Sequence, residues 1–243
     1  MDNKQKLMYI LPNLFTAGSA FLGIVSVLAS ANGNFDKAIF YIVLSLILDG
    51  MDGRVARLTK TTSKFGVEFD SLADLVAFGV APAMLFYFSV GYEFGKFGSL
   101  IAGLFVVFGA IRLARFNITT NTNEPNVFIG LPIPSAAIAG AFWIGIYDKY
   151  EFLQGLQWIL LVIMVGLAIL MVSNVRYPSF KKINYEKANF IRLLIALFLV
   201  FCMLYVYPLE SATTLISIYV IYGIIRGIWA RFFAKNIKFK EKQ

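Results

Sequence analysis

Long apolar stretches separated by short polar segments cover most of the chain. Eight of these stretches approach the roughly 20 apolar residues that a helix needs to cross a bilayer; they occupy residues 9–31, 38–58, 69–91, 97–115, 127–147, 152–175, 193–209 and 211–233. The pattern predicts an all-α integral membrane protein with about eight transmembrane helices in a single polytopic domain. The fifth stretch contains Pro132 and Pro134, which predict a break in its helical hydrogen bonding, as an opened pocket or as a tolerated kink.

The composition supports a membrane protein and excludes several kinds of chemistry. Of the 243 residues, 59% are hydrophobic and 15% are charged, whereas soluble domains have about 45–50% and 25%. A disordered chain is excluded because it would be poor in apolar residues and rich in charge. The chain has no histidine, which excludes histidine-dependent nucleophiles and histidine-ligated zinc.

The basic residues indicate how the helices are oriented. With the N-terminus in the cytoplasm, 19 of the 22 lysines and arginines fall in cytoplasmic segments, and only Lys37, Lys96 and Lys149 fall outside. Cytoplasmic loops carry this excess, so both termini are predicted on the cytoplasmic side of the plasma (inner) membrane. The net charge of +8 then needs no nucleic-acid partner, and the basic C-terminal tail is expected to contact anionic membrane lipids. The longest polar connection, residues 176–189, is expected to lie along the cytoplasmic surface.

Four aspartates cluster at the ends of the second and third predicted helices. Asp49 and Asp52 are three residues apart, and Asp70 and Asp74 are four apart, so each pair shares one helix face. Antiparallel helices would bring the two pairs together. Four carboxylates in a partly dry volume cannot all stay ionised alone, and two divalent ions, Mg²⁺ or Mn²⁺, are the natural compensation. A two-metal site suits displacement at phosphorus.

Small and basic residues accompany these aspartates. Gly53 and Gly66 would let a ligand or a neighbouring backbone approach closely, and Arg57 is placed to meet a phosphate. A simpler interpretation is that the aspartates are ordinary charges at helix ends, solvated or paired with Arg54 and Arg57. That interpretation suits a single aspartate better than four at this spacing.

These residues form one motif, which reads Asp49-x2-Asp52-Gly53-x2-Ala56-Arg57-x8-Gly66-x3-Asp70-x3-Asp74. It resembles the signature of the CDP-alcohol phosphatidyltransferase family at every position. The resemblance implies a six-helix catalytic core over about residues 10–175. We therefore divide the chain into residues 1–182, which hold this core, and residues 183–243, which add two helices and a basic tail.

The resemblance also implies roles for individual residues. Asp49, Asp52, Asp70 and Asp74 would bind two divalent ions, and Asp74 would also take the proton of the acceptor alcohol. The expected contacts with the CDP-lipid come from the motif, from the connection that follows it and from the start of the first helix. They are Pro12, Asn13, Asp52, Gly53, Ala56, Arg57, Ser63 and Gly66.

Further blocks, at residues 69–83, 111–117, 130–134 and 175–181, resemble the branch of the family that uses serine as the acceptor. This likeness implies transfer of the phosphatidyl group from CDP-diacylglycerol to L-serine, with release of CMP, by a homodimer in the membrane. Arg112 and Arg115 end the fourth predicted helix at the depth of the aspartates. They are expected to bind the serine carboxylate or the lipid phosphate, or alternatively to snorkel to the membrane surface.

Two alternatives stay open at this stage. Glycerol 3-phosphate, an inositol phosphate or choline could be the acceptor in the same chemistry, although a phosphorylated acceptor calls for more cationic charge than is found near the two arginines. A cation- or proton-coupled transporter could use the aspartates as an ion path. Transporters often contain internal repeats, however, and the other half of this chain has no second acidic pair.

Overall fold

The structure is a computed structural model that describes residues 3–59, 61, 63–119, 127–178 and 190–240. The described chain forms eight helices: α1 Asn3–Ala31, α2 Phe35–Thr59, α3 Lys64–Ser89, α4 Lys96–Thr119, α5 Ile133–Lys149, α6 Gln157–Val172, α7 Phe190–Val206 and α8 Pro208–Lys240. Short 3-10 turns at Gly91–Phe94 and Glu151–Leu153 follow α3 and α5. The helical class predicted from the sequence is therefore correct.

Several of these helices are long and apolar enough to cross a membrane. Four such spans lie at Ile10–Ala31, Lys64–Ser89, Lys96–Ile118 and Pro208–Trp229. Gln157–Val172 and Leu194–Val206 are shorter apolar helices. These helices make the chain an integral membrane protein; the crossing of all eight, and the side on which each end lies, stay predictions. Residues 179–189 of the polar connection expected on the cytoplasmic surface lie outside the described part of the chain.

Two short strands accompany the helices and were not predicted from the sequence. β1 Val127–Ile129 pairs antiparallel with β2 Arg176–Pro178, with Phe128 opposite Tyr177. The fifth predicted span was therefore wrong at its start, and α5 begins at Ile133 with Pro132 as its N-cap. Proline fits the first turn of a helix because the N–H it lacks would have no intrahelical partner there. Pro132 and Pro134 therefore begin a helix and do not break one.

A tight turn makes α1 and α2 antiparallel. Gly33 has φ of 71°, and the backbone N–H groups of Gly33 and Asn34 donate to the carbonyls of Ser30 and Ala29. This is a Schellman helix end, which favours glycine because the backbone is left-handed there. Along the two helices, Ser45 Oγ donates to the Ser19 carbonyl at 2.9 Å. The turn thus places the aspartates of α2 beside the beginning of α1.

The centre of the bundle is α5, whose buried residues are mostly alanine and glycine. It packs against α2, α3, α6 and α8, and a Cβ at Gly140 would lie 2.9 Å from Met164 Sδ in α6. Small residues let helices approach closely where lipid provides no hydrophobic driving force between them. Because α5 contacts α2, α3 and α8 at once, it fixes the last helix relative to the aspartate-bearing pair.

Candidate active site

The four aspartates of α2 and α3 form one cluster. One carboxylate oxygen from each of Asp49, Asp70 and Asp74 lies within 4.8 Å of the other two. Asp52, which is only 6% exposed, interacts with Asp70, and Asp49 interacts with Asp74. The first aspartate of α2 thus faces the last aspartate of α3, and the second faces the first, as expected for antiparallel helices.

The donor atoms of this cluster suit divalent metal ions. Among the described residues, Asp70 Oδ1 and Asp74 Oδ1 are buried and have no hydrogen-bond partner. A buried carboxylate oxygen without a partner is costly, and a bound cation removes that cost. Mg²⁺ and Mn²⁺ prefer oxygen ligands, and every candidate ligand here is a carboxylate. The residues present therefore fit the expected ions.

Thr16 of α1 holds Asp52 in place. Its hydroxyl donates to Asp52 Oδ2 at 2.7 Å and lies 3.2 Å from the Pro12 carbonyl. Thr16 is 4% exposed, so the hydrogen bond is shielded from water. Thr16 was not among the residues chosen from the sequence. The available signal was the Pro-Asn-x-x-Thr sequence at positions 12–16, in which only the proline and the asparagine had been selected.

The backbone of α3 changes form directly after Asp74. Residues Leu75–Val80 are π-helical, and the N–H of Ala81 donates to the Val76 carbonyl, five residues back. Pro82 accounts for the wider turn, because it has no N–H and its ring would clash with the carbonyl four residues earlier. Segments of π-helix frequently occur at functional sites. Here the π segment sets the direction in which α3 continues beyond its last aspartate.

A cavity of about 560 Å³, measured with the space that opens to solvent, adjoins the cluster. It contains seven of the eight residues expected to contact the CDP-lipid, together with four others. Its lining consists of Pro12, Asn13, Thr16, Asp52, Gly53, Ala56, Thr61, Ser63, Gly66, Val67 and Asp70. Thr61 and Val67 carried no signal in the sequence, because neither residue type points to a ligand at an isolated position.

The cavity is shaped by the end of α2 and the beginning of α3. Apart from the backbone of α2 itself and the neighbouring residues, no atom of the described chain lies within 4 Å of the position that a Cβ would take at Gly53, so the missing side chain leaves space open. Ser63 caps α3 and its Oγ accepts from the Gly66 N–H at 3.0 Å. Helix N-termini attract phosphate through their free N–H groups and their dipole. This end of the cavity therefore suits the phosphate part of a nucleotide.

Arg57 is the one expected lipid contact that does not line the cavity. Its Nε donates to the Gly53 carbonyl at 2.9 Å, and its side chain is exposed. Contact between Arg57 and a phosphate stays a prediction.

The two arginines of α4 have different surroundings. Arg112 is 7% exposed, interacts electrostatically with Asp74 and has its Cζ 5.2 Å from the centroid of the Phe116 ring. Within the described chain, no hydrogen bond or ion pair engages its guanidinium. A buried cation beside Asp74 is suited to receive an anionic group of a ligand.

Arg115 binds backbone carbonyls of its own protein. Its Nη1 donates to the Val172 carbonyl at 3.1 Å, and its Nη2 donates to the carbonyls of Ile129 and Ser173, each at 3.0 Å. These bonds cap the C-terminus of α6 and attach β1 to it. The structure thus gives Arg115 a scaffolding role, and its predicted contact with serine or phosphate stays a prediction.

Comparison with known proteins matches the chain to a family. Residues 9–170 match the CDP-alcohol phosphatidyltransferase family. The chain is 55% identical over 223 residues, 91% of its length and 92% of the relative's, to the CDP-diacylglycerol–serine O-phosphatidyltransferase of Helicobacter pylori strain J99. It is 36% identical over 175 residues to the Bacillus subtilis protein of that name, covering 72% of this chain and 93% of the relative. It is also 36% identical to the archaetidylserine synthase of Methanothermobacter thermautotrophicus over 73% of this chain and 74% of that one.

Proposed function

Because the chain belongs to the CDP-alcohol phosphatidyltransferase family, we propose that it transfers a phosphatidyl group to serine at the aspartate cluster. The substrates are CDP-diacylglycerol and L-serine, and the products are phosphatidylserine and CMP. The choice of serine rests on the 55% identical relative, whose name states that acceptor. The observation that carries the chemistry is the set of carboxylates with buried oxygens beside a cavity at a helix N-terminus.

The four aspartates are suited to hold two divalent ions, Mg²⁺ or Mn²⁺. Bound ions of this kind neutralise the pyrophosphate charge and make CMP a better leaving group. Asp49, Asp70 and Asp74 provide oxygens close enough to share an ion, and Thr16 keeps Asp52 turned toward Asp70. The chain itself therefore supplies a ligand set that is already oriented.

The cavity beside Asp52 and Asp70 receives the nucleotide end of the lipid substrate. Its open space at Gly53 and the capped N-terminus of α3 suit the pyrophosphate, while Pro12 and Asn13 close the side formed by α1. The acyl chains remain among the lipids of the bilayer. This arrangement leaves the opposite side of the cluster, near Arg112, for the acceptor.

Asp74 is the proposed general base, and Arg112 is the proposed partner of the serine carboxylate. The serine hydroxyl loses its proton to Asp74, its oxygen bonds to the phosphorus of the phosphatidyl group, and the bond from that phosphorus to CMP breaks. A carboxylate within reach of the reacting hydroxyl can make this transfer. No covalent intermediate on the enzyme is needed, since the acceptor hydroxyl is itself the nucleophile.

The membrane arrangement is part of the proposal. All eight helices cross the plasma (inner) membrane, with both termini and the aspartate cluster at the cytoplasmic side, and two copies form a homodimer. Residues 1–182 hold the catalytic core, and residues 183–243 add α7, α8 and the basic tail. The distribution of lysine and arginine along the sequence supports this orientation.

The test is CMP release by purified protein in mixed micelles of CDP-diacylglycerol, with each acceptor supplied in turn. We expect CMP and phosphatidylserine with L-serine and Mg²⁺ or Mn²⁺, and neither product after removal of metal with a chelator. Product formation with glycerol 3-phosphate, an inositol phosphate or choline, but not with serine, would reassign the acceptor. Cation flux into vesicles without any CMP release would show that the protein is a transporter and not this enzyme.

A further inference from the structure

The helices α3 and α4 form an antiparallel pair that carries the proposed base and the proposed partner of the serine carboxylate. Asp74 is on α3 and Arg112 is on α4, so their separation depends on how the two helices are aligned. The helices approach closely at the turn that joins them, where a Cβ at Gly98 would overlap the Gly91 carbonyl. Toward their other end, α4 packs against the π segment that follows Asp74.

A hydrogen bond between side chains links the two helices beyond the π segment. Asn117 Nδ2 of α4 donates to Ser71 Oγ of α3 at 2.9 Å. The Ser71 hydroxyl itself donates to the Val67 carbonyl at 3.2 Å, so its oxygen is available to accept the amide N–H. Along the chain, the bonded residues lie 20 positions before Gly91 and 19 positions after Gly98. The same alignment of α3 and α4 therefore holds at both ends of the pair.

This bond also sets the relative height of the two groups proposed to bind serine. Asp74 is three residues beyond Ser71 on α3, which is about 4.5 Å at the usual helical rise. Arg112 is five residues before Asn117 on α4, which is about 7.5 Å in the same direction because the helices are antiparallel. With the bond in place, the backbones of Asp74 and Arg112 therefore differ in height by only about 3 Å.

We propose that Asn117 is a positioning residue of the acceptor site, whose hydrogen bond to Ser71 holds Asp74 and Arg112 at a separation that one serine molecule spans. The inference rests on the proposed function and deepens it, because it adds a residue that favours a short acceptor without touching it. In serine, two carbon atoms separate the hydroxyl oxygen from the carboxylate carbon. An acceptor this short contacts groups on two different helices only where the alignment of those helices is fixed.

The test measures the KM of L-serine and the KM of CDP-diacylglycerol at saturating metal, from the rate of CMP release. Asn117→Leu removes the donor and keeps a side chain of similar size, Ser71→Ala removes the acceptor, and a double variant combines the two changes. Ser99→Ala is the matched control, because it removes a hydroxyl that donates to the Gly95 carbonyl at the opposite end of α4.

We expect each single variant to raise the KM of serine about three- to tenfold, which is the affinity that a hydrogen bond between neutral groups contributes. The double variant should have the same KM as the single variants, because the effects of two residues that share one bond are not additive. The KM of CDP-diacylglycerol should not change in any of them, and Ser99→Ala should match wild type. If Asn117→Leu does not fold, Ser71→Ala decides alone.

Failure of this inference is distinguishable from failure of the proposed function. Wild-type protein that releases no CMP with serine would remove the proposed function and this inference with it. With serine-dependent wild-type activity, an unchanged KM of serine in the single variants or additive effects in the double variant would overturn only the role of Asn117. An equal rise in the KM of CDP-diacylglycerol, or a lower kcat with both KM values unchanged, would likewise show that the bond serves the general structure and not the acceptor.

Discussion

Thr16 allows a sharp test of how the aspartate cluster is oriented. Thr16→Val keeps the size and branching of the side chain and removes the hydroxyl that donates to Asp52 at 2.7 Å. Both residues are more than nine-tenths buried, so the hydrogen bond is shielded from most of the water in the adjoining cavity. In the variant, the orientation of the Asp52 carboxylate toward Asp70 is therefore less well fixed.

The size of the effect follows from the kind of bond that is removed. Hydrogen bonds to charged groups contribute about 1.5–3 kcal/mol, and loss of a group that orients a metal ligand typically costs about 10–100-fold in metal affinity. We therefore expect the Mg²⁺ or Mn²⁺ concentration for half-maximal CMP release to rise about 10–100-fold. Activity at saturating metal should recover in large part.

The assay is a titration of activity with metal after chelation, at fixed CDP-diacylglycerol and serine. Thr16→Ser keeps the hydroxyl and should remain close to wild type. Ser19→Ala removes a hydroxyl one turn further along α1, where the partner is Ser45, and it should leave the metal dependence unchanged. An unshifted titration for Thr16→Val would refute the orienting role, as would an equal shift for Ser19→Ala.

Three further predictions concern the base, the cavity and the scaffold. Asp74→Asn should reduce CMP release by at least about 100-fold, and normal turnover in this variant would overturn the assigned base. The control is Asp36→Asn, at the exposed start of α2, which should remain active. Gly53→Leu should fill the open side of the cavity and raise the KM of CDP-diacylglycerol about tenfold, and Gly50→Leu on α2 outside the cavity should not. Gly130→Ala should lower the melting temperature in detergent, because φ is 79° and a Cβ would lie 2.3 Å from the Met171 carbonyl; Gly103→Ala, where the space is open, is its control, and equal melting of the two variants would contradict the argument.

What the sequence could predict depended on local geometry. Spacings of three and four residues place Asp49 with Asp52, and Asp70 with Asp74, on one helix face whatever the tertiary structure. Hydropathy likewise identified the helices, because a bilayer demands long apolar segments. The clustering of the aspartates needed only one further assumption, that α2 and α3 run antiparallel, whereas the expected cavity residues came from the family resemblance.

The features that the sequence did not reveal depend on partners far along the chain. The strands β1 and β2 are three residues each and lie about 50 positions apart, so neither has a periodicity of its own. Arg115 looked like Arg112 in the sequence, but its acceptors belong to residues 129 and 171–174. The sequence shows the charge of an arginine and its position in a helix, but only the fold shows which groups it binds.

The different surroundings of these two arginines explain how a second cation can lie so near the proposed acceptor site without competing for the ligand. Arg112 and Arg115 are three residues apart on α4, so they lie on neighbouring parts of one face. The carbonyls at the end of α6 carry partial negative charge, and Arg115 donates to several of them. Its charge is therefore offset by the scaffold. In the part of the chain that the structure describes, Arg112 has no such carbonyl partners, so Asp74 and an incoming carboxylate are left to offset its charge. A substrate with one carboxylate matches the single charge of Arg112 better than a doubly charged phosphate does, which agrees with serine as the acceptor.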